Sequence, residues 1–116
     1  MKKTILFFLI TPFLVLSQQT IYGTFLHDGL NRDYIYYEPN NLQANAPLVF
    51  VAHGYTGSHT GIMNYCGMND IADQNGFAVC YPKGTTDNQW GGSNFWNVGY
   101  DFHNGINVDD VGFIIN

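Results

Sequence analysis

The chain has 116 residues and a formal net charge of −5, with four basic residues against nine carboxylates; two of the four are Lys2 and Lys3 at its start. So acidic a chain lacks the basic surface that a phosphate backbone demands, which excludes nucleic acid as a partner. An aromatic content of 16% argues against disorder, and the length suits one small domain.

Met1-Lys2-Lys3 precedes an apolar stretch over residues 4–16 that closes on Val15-Leu16-Ser17. A positive start, a short apolar middle and a small residue at the end describe a secretory signal peptide over residues 1–17. Its removal leaves residues 18–116 outside the cytoplasm, extracellular or periplasmic, with Arg32 and Lys83 as the remaining basic side chains. The stretch is shorter than the roughly 18 to 20 residues that span a bilayer, and no longer one follows, so no stable membrane span is expected.

Residues 20–26 and 33–38 are rich in β-branched and aromatic side chains around the turn chemistry of Asp28-Gly29-Leu30-Asn31, which predicts an antiparallel hairpin. Pro47-Leu48-Val49-Phe50-Val51-Ala52 is apolar without alternation, as in a strand buried on both faces. It stops abruptly at His53-Gly54-Tyr55-Thr56-Gly57-Ser58. Met68, Ile71 and Ala72 recur at helical spacing ahead of an Asn75-Gly76 stop, and the helix starts either near Thr60 or near Gly67. Residues 77–81 form a second buried strand ended by Pro82, so strand, helix and strand make a parallel crossover. The fold class is α/β, an antiparallel hairpin leading into parallel strand-helix-strand.

Residues 83–108 carry five glycines and Trp90, Phe95, Trp96, Tyr100 and Phe102 without a period, which suits an ordered, ligand-facing loop. Trp90 and Trp96 either shape an acyl, aryl or sugar site or fill a core beneath that loop. Asp109-Asp110 before Val111-Gly112-Phe113-Ile114-Ile115 reads as a helix start with capping carboxylates, inside which the chain stops.

A buried strand ending on His-Gly leaves backbone N–H groups free above a sheet, where an oxyanion can be held. The series HGYTGS, MNDIADQNGF, a Tyr-Pro strand end and VDDVGFI resembles the secreted polyhydroxybutyrate depolymerase and feruloyl esterase group of the α/β-hydrolase superfamily. The likeness runs along nearly all of residues 18–116 and implies the N-terminal part of such a catalytic domain, truncated before its nucleophile. It implies a serine ester hydrolase acting on a polyester or a plant cell-wall ester, with the Tyr55 backbone N–H as one oxyanion donor and His53 and Gly54 shaping the turn. The family's catalytic serine, acid and histidine come later in chain order, so no triad residue is expected here and the chain alone should be inactive.

Neither Ser58 nor Ser93 fits G-x-S-x-G or directly follows a buried strand, and His59 and His103 read as surface loop residues. Cys66 and Cys80 form a disulfide if helix and strand bring them within reach; otherwise they are two small buried apolar side chains. His53, His59, His103, Asp101 and Asp109 match no metal-ligand spacing, and no cofactor is expected. The alternative function is a secreted aromatic-rich module that binds carbohydrate or polymer.

Overall fold

The computed structural model describes residues 17–89 and 91–116, so the predicted signal segment up to Leu16 and Trp90 lie outside the described residues. Strands β1 (Gln19–His27) and β2 (Leu30–Glu38) pair antiparallel from Gln19↔Glu38 to His27↔Leu30. Both residues of the connecting turn, Asp28 and Gly29, have positive φ (+49° and +75°). Two residues of that conformation match the right-handed twist of the strands they join, which makes the turn shorter than the four-residue one expected.

β3 (Leu48–Phe50) runs parallel to β4 (Ala78–Pro82), and β4 also pairs antiparallel with β2, giving a mixed sheet of order β1-β2-β4-β3. The crossover holds two helices, α1 (His59–Cys66) and α2 (Met68–Asn75). Gly67, with φ +66°, ends the first and begins the second, so both predicted helix starts are present. Gly76 closes α2 in the left-handed conformation, its N–H donating to the Ala72 carbonyl. The loop after β4 is more regular than its sequence suggests: β5 (Thr85–Asp87) and β6 (Ser93–Phe95) form a second hairpin, followed by a 3-10 turn at Asp101–His103. α3 (Asp110–Ile115) has the expected cap, Asp109, whose Oδ1 accepts the Gly112 N–H at 2.8 Å.

Alternation along the strands divides the packing. Ile35, Tyr37, Val79 and Tyr81 face α1 and α2 and, with Ala72, form a core that Ile62, Met63 and Cys66 extend. Phe25, Tyr34, Phe50 and Cys80 point the other way, towards Phe113 of α3, around a cavity of about 110 Å³. Arg32 crosses this face 4.0 Å above the Phe113 ring and donates to Asp110 Oδ1 in a buried pair. Asp110, expected to cap with Asp109, instead ties α3 to the sheet and the loop: its Oδ2 also accepts the Asn97 N–H at 2.6 Å.

One expectation is not met among the described residues, and of the two readings left open for the cysteines the unbridged one is found. Among the described residues β3 pairs with β4 alone, and Leu48 and Phe50 are 46% and 43% exposed, not buried on both faces. Cys66 and Cys80 are free thiols. Cys66 lies on the helix side, against the core that includes Tyr81, whereas Cys80, one residue earlier in β4 than Tyr81, projects from the opposite face.

Candidate functional site

β3 delivers His53 at the point where the chain turns above the sheet. His53 is buried. The Gly84 N–H donates to its Nε2 at 2.9 Å, so that nitrogen is an acceptor, and the proton sits on Nδ1, 2.7 Å from the Gly54 carbonyl oxygen. Both ring nitrogens are thus engaged by backbone, which fixes the imidazole as part of the turn. Gly84 is required for this: a Cβ there would overlap the Phe95 carbonyl.

The Gly54 oxygen also accepts the Gly57 N–H at 3.0 Å, closing a four-residue turn. Thr56, third in that turn, has φ +66°, a conformation usually left to glycine. The turn is held from outside. Thr56 N–H donates to the Asn94 carbonyl (2.9 Å), Asn94 Nδ2 to the Gly57 carbonyl (2.8 Å) and Trp96 Nε1 to the His53 carbonyl (2.8 Å).

The Gly54 C=O and the Tyr55 N–H belong to one planar trans peptide, so they point in opposite directions. Two hydrogen bonds fix the oxygen and thereby aim the Tyr55 N–H outward. No hydrogen bond engages that N–H among the described residues. A pre-aimed, unsatisfied donor is the form an oxyanion site takes. Beside the turn, His53, Gly54, Ser58, Ile62 and Tyr65 border an open cleft of about 200 Å³.

The other predicted residues fall as follows. Ser58 is the N-cap of α1, its Oγ accepting the Gly61 N–H at 3.0 Å, and Ser93 opens β6; neither sits on a strand-to-helix elbow. Trp96 is half-buried, its ring tilted by 35° to that of His53 at 5.1 Å between centroids, and its indole N–H donates to the His53 carbonyl, so it supports the turn. His59 is half-buried at the start of α1; burial, with the charge of Lys83 adding to it, lowers its pKa.

His103 is no surface residue. It is 3% exposed, its Nε2 lies 2.9 Å from Asp87 Oδ2, and the rings of Phe95 and Phe102 pack at 4.3 and 4.4 Å. Tyr55 and Tyr100 stand about it at 6.1 and 6.0 Å. Asp87 and His103 are sixteen residues apart in an aperiodic loop, and no local spacing signals their pairing. The same holds for Asn94 and Trp96, the residues that hold the turn.

No family model matches the chain. A bifunctional acetylxylan esterase/xylanase of Neocallimastix patriciarum, XynS20E, is 33% identical over 70 residues, which is 60% of this chain and 10% of that protein. The chain has partial similarity to fungal acetyl xylan esterases. An acetyl xylan esterase structure from Aspergillus awamori aligns with it at 32% identity and a TM-score of 0.47, covering 57% of this chain and 24% of that one. The chain thus spans about a tenth of the curated relative it matches. Among the described residues no helix is long and apolar enough to cross a membrane.

Proposed function

We propose that this chain is the N-terminal part of an exported serine carboxylic-ester hydrolase of the α/β-hydrolase type, and that its contribution to catalysis is one half of the oxyanion hole. The observation that carries this reading is the Gly54-Tyr55 peptide, whose oxygen is tied by His53 Nδ1 and Gly57 N–H so that the Tyr55 N–H is left pointing outward. Partial similarity to an acetylxylan esterase favours a plant cell-wall acetyl ester over a microbial polyester or a feruloyl ester. The polyhydroxybutyrate depolymerase and feruloyl esterase group supplies the motif pattern, and the acetyl ester supplies the chemistry.

In such an enzyme a serine attacks the ester carbonyl, a histidine takes its proton, and the carbonyl oxygen gathers charge that backbone N–H groups stabilise. The Tyr55 N–H answers the last of these needs without reorganisation. Loss of one oxyanion donor typically lowers kcat by about 10²–10³. The serine is absent from this stretch of chain: Ser58 caps a helix and Ser93 lies in a hairpin.

The test is the reading frame beyond the codon for Asn116. A helix of about 11 to 12 residues and a strand of about 5 to 6 place a G-x-S-x-G elbow roughly 15 to 30 residues on. Its replacement by alanine should abolish ester hydrolysis by the encoded protein. A frame that runs through that window with no serine on a strand-to-helix elbow overturns the esterase reading, and so does ester turnover by residues 1–116 alone.

A further inference from the structure

The turn that aims the Tyr55 N–H is held in a conformation its own sequence disfavours. Of its two central residues, Tyr55 and Thr56, only Thr56 has positive φ, which is the pattern of a type II turn and normally calls for glycine or asparagine at that place. Threonine is β-branched, and in the left-handed region its side chain crowds the backbone. Turning over the Tyr55–Thr56 peptide would give a type I turn, in which Thr56 relaxes to negative φ. Local preference opposes the observed turn, so a contact from outside must select it.

We propose that Asn94 is the positioning residue of the oxyanion donor, selecting the strained turn from the β5–β6 hairpin; this rests on the reading of the Tyr55 N–H as that donor. The Asn94 main-chain carbonyl accepts the Thr56 N–H at 2.9 Å, and its Nδ2 donates to the Gly57 carbonyl at 2.8 Å. One residue thus holds both the Tyr55–Thr56 and the Gly57–Ser58 peptides. With the first of these turned over, the Tyr55 carbonyl oxygen would face the Asn94 carbonyl oxygen, and two acceptors repel where a donor and an acceptor now meet. The relaxed turn must therefore swing away from β6, and it takes the Gly54–Tyr55 peptide with it.

The clamp is itself held. Asn94 pairs with Thr86 across the hairpin, and Thr86 Oγ1 donates to Asn94 Oδ1 at 3.1 Å, which leaves Nδ2 to face Gly57. An amide suits this place because it accepts from the hydroxyl with one end and donates to the turn with the other. Aspartate would keep the first bond and set an oxygen against the Gly57 carbonyl. Trp96 and His53, by contrast, donate to the carbonyls of His53 and Gly54, ahead of the strained residue.

The experiment compares Asn94→Asp with Asn94→Asp/Thr56→Gly. In the full chain, NMR reads the Thr56 φ from its amide coupling and carbon shifts, and hydrogen exchange reads its N–H bond; Asn94→Asp should bring Thr56 to negative φ and speed that exchange about tenfold. In the protein encoded by the whole reading frame, Asn94→Asp should lower kcat for an acetyl ester by about 10- to 100-fold with KM little changed, short of the loss for removing the donor outright. Adding Thr56→Gly should recover most of that kcat, because glycine takes positive φ without being held. An Asn94 that only stabilises the hairpin gives no such rescue. Should Asn94→Asp not fold, Asn94→Ala, which deletes the amide without adding a charge, carries the same expectations. If the encoded protein hydrolyses no ester, the esterase reading fails and the NMR measurement alone decides the clamp. An unchanged Thr56 φ and exchange rate in Asn94→Asp, or a kcat that Thr56→Gly does not restore, overturns the proposal.

Discussion

The face of the sheet that meets α1 and α2 is closed by the described chain: Ile35, Tyr37, Ala72, Val79 and Tyr81 are each 3% exposed or less. The face that meets α3 is not. There Leu48 and Phe50 on β3 stay largely exposed, as do Val111 and Ile115 on the six-residue helix above them. β4 feeds both faces with alternate residues, so the difference lies in the cover and not in the strand. Apolar area does most of the stabilising on the first face. On the second, a polar cluster centred on Asp110 holds α3 to the sheet.

That contrast makes Asp110→Ala the most damaging single change. It leaves the Arg32 guanidinium buried without its partner and removes the acceptor of the Asn97 N–H. Breaking a buried pair by removing one member costs about 3–5 kcal/mol. Chemical denaturation should show a loss of that order, and a loss no larger than that of an exposed ion pair would mean that α3 is held by apolar contact after all.

Next in size is a matched pair of truncations on the two faces. Ile35→Ala empties a fully buried position, for which about 2–5 kcal/mol is typical. Phe50→Ala removes a larger side chain, but one that already faces solvent over nearly half its surface, and should cost less than half as much in the same chain. Equal losses would erase the distinction between the faces.

The parts of this arrangement that were legible from sequence are the local ones. The Asp28-Gly29 turn, the Asn75-Gly76 stop, the Asp109 cap and the His-Gly end of β3 each follow from a few adjacent residues with one preferred conformation. Residues 83–108 gave no such signal, because the pairing of β5 with β6 and of Asp87 with His103 is set by tertiary contacts that leave no period. The apolar run before His53 could not reveal that Leu48 and Phe50 stay exposed among the described residues, since a strand's composition reports apolar surroundings and not the number of its neighbours. His53 and Gly54 were recognised from the motif, but Asn94, Trp96 and Gly84, which fix the turn, lie some 30 to 40 residues on in sequence.

A smaller effect should appear at high pH and belongs to the closed face. Burial, and then the hydrogen bond from its hydroxyl to Asp73 (2.8 Å), push Tyr37 up to about 12. A tyrosine in the unfolded chain ionises near 10. The folded state therefore holds this proton more tightly, so the contribution is fully present below about pH 10 and is lost as pH rises through 12. Unfolding free energy measured across that window should decline, and Tyr37→Phe should flatten the decline. An identical slope in Tyr37→Phe would show that another group carries it.

The smallest expected effect tests the division of the faces most directly. If Cys66 belongs to the helix side and Cys80 to the α3 side, the sheet itself stands between them and no bridge forms without turning β4 over. Burial pushes the Cys80 thiol up to about 11, so little thiolate is present at neutral pH, while Cys66 is only half-buried. A reductant should therefore leave Tm unchanged. A thiol reagent applied to the native chain should modify Cys66 before Cys80, and unfolding should bring Cys80 into reach. Peptide mapping of the oxidised protein that recovered a Cys66–Cys80 link would reverse the assignment of one cysteine, and with it the alternation along β4 from which both faces were built.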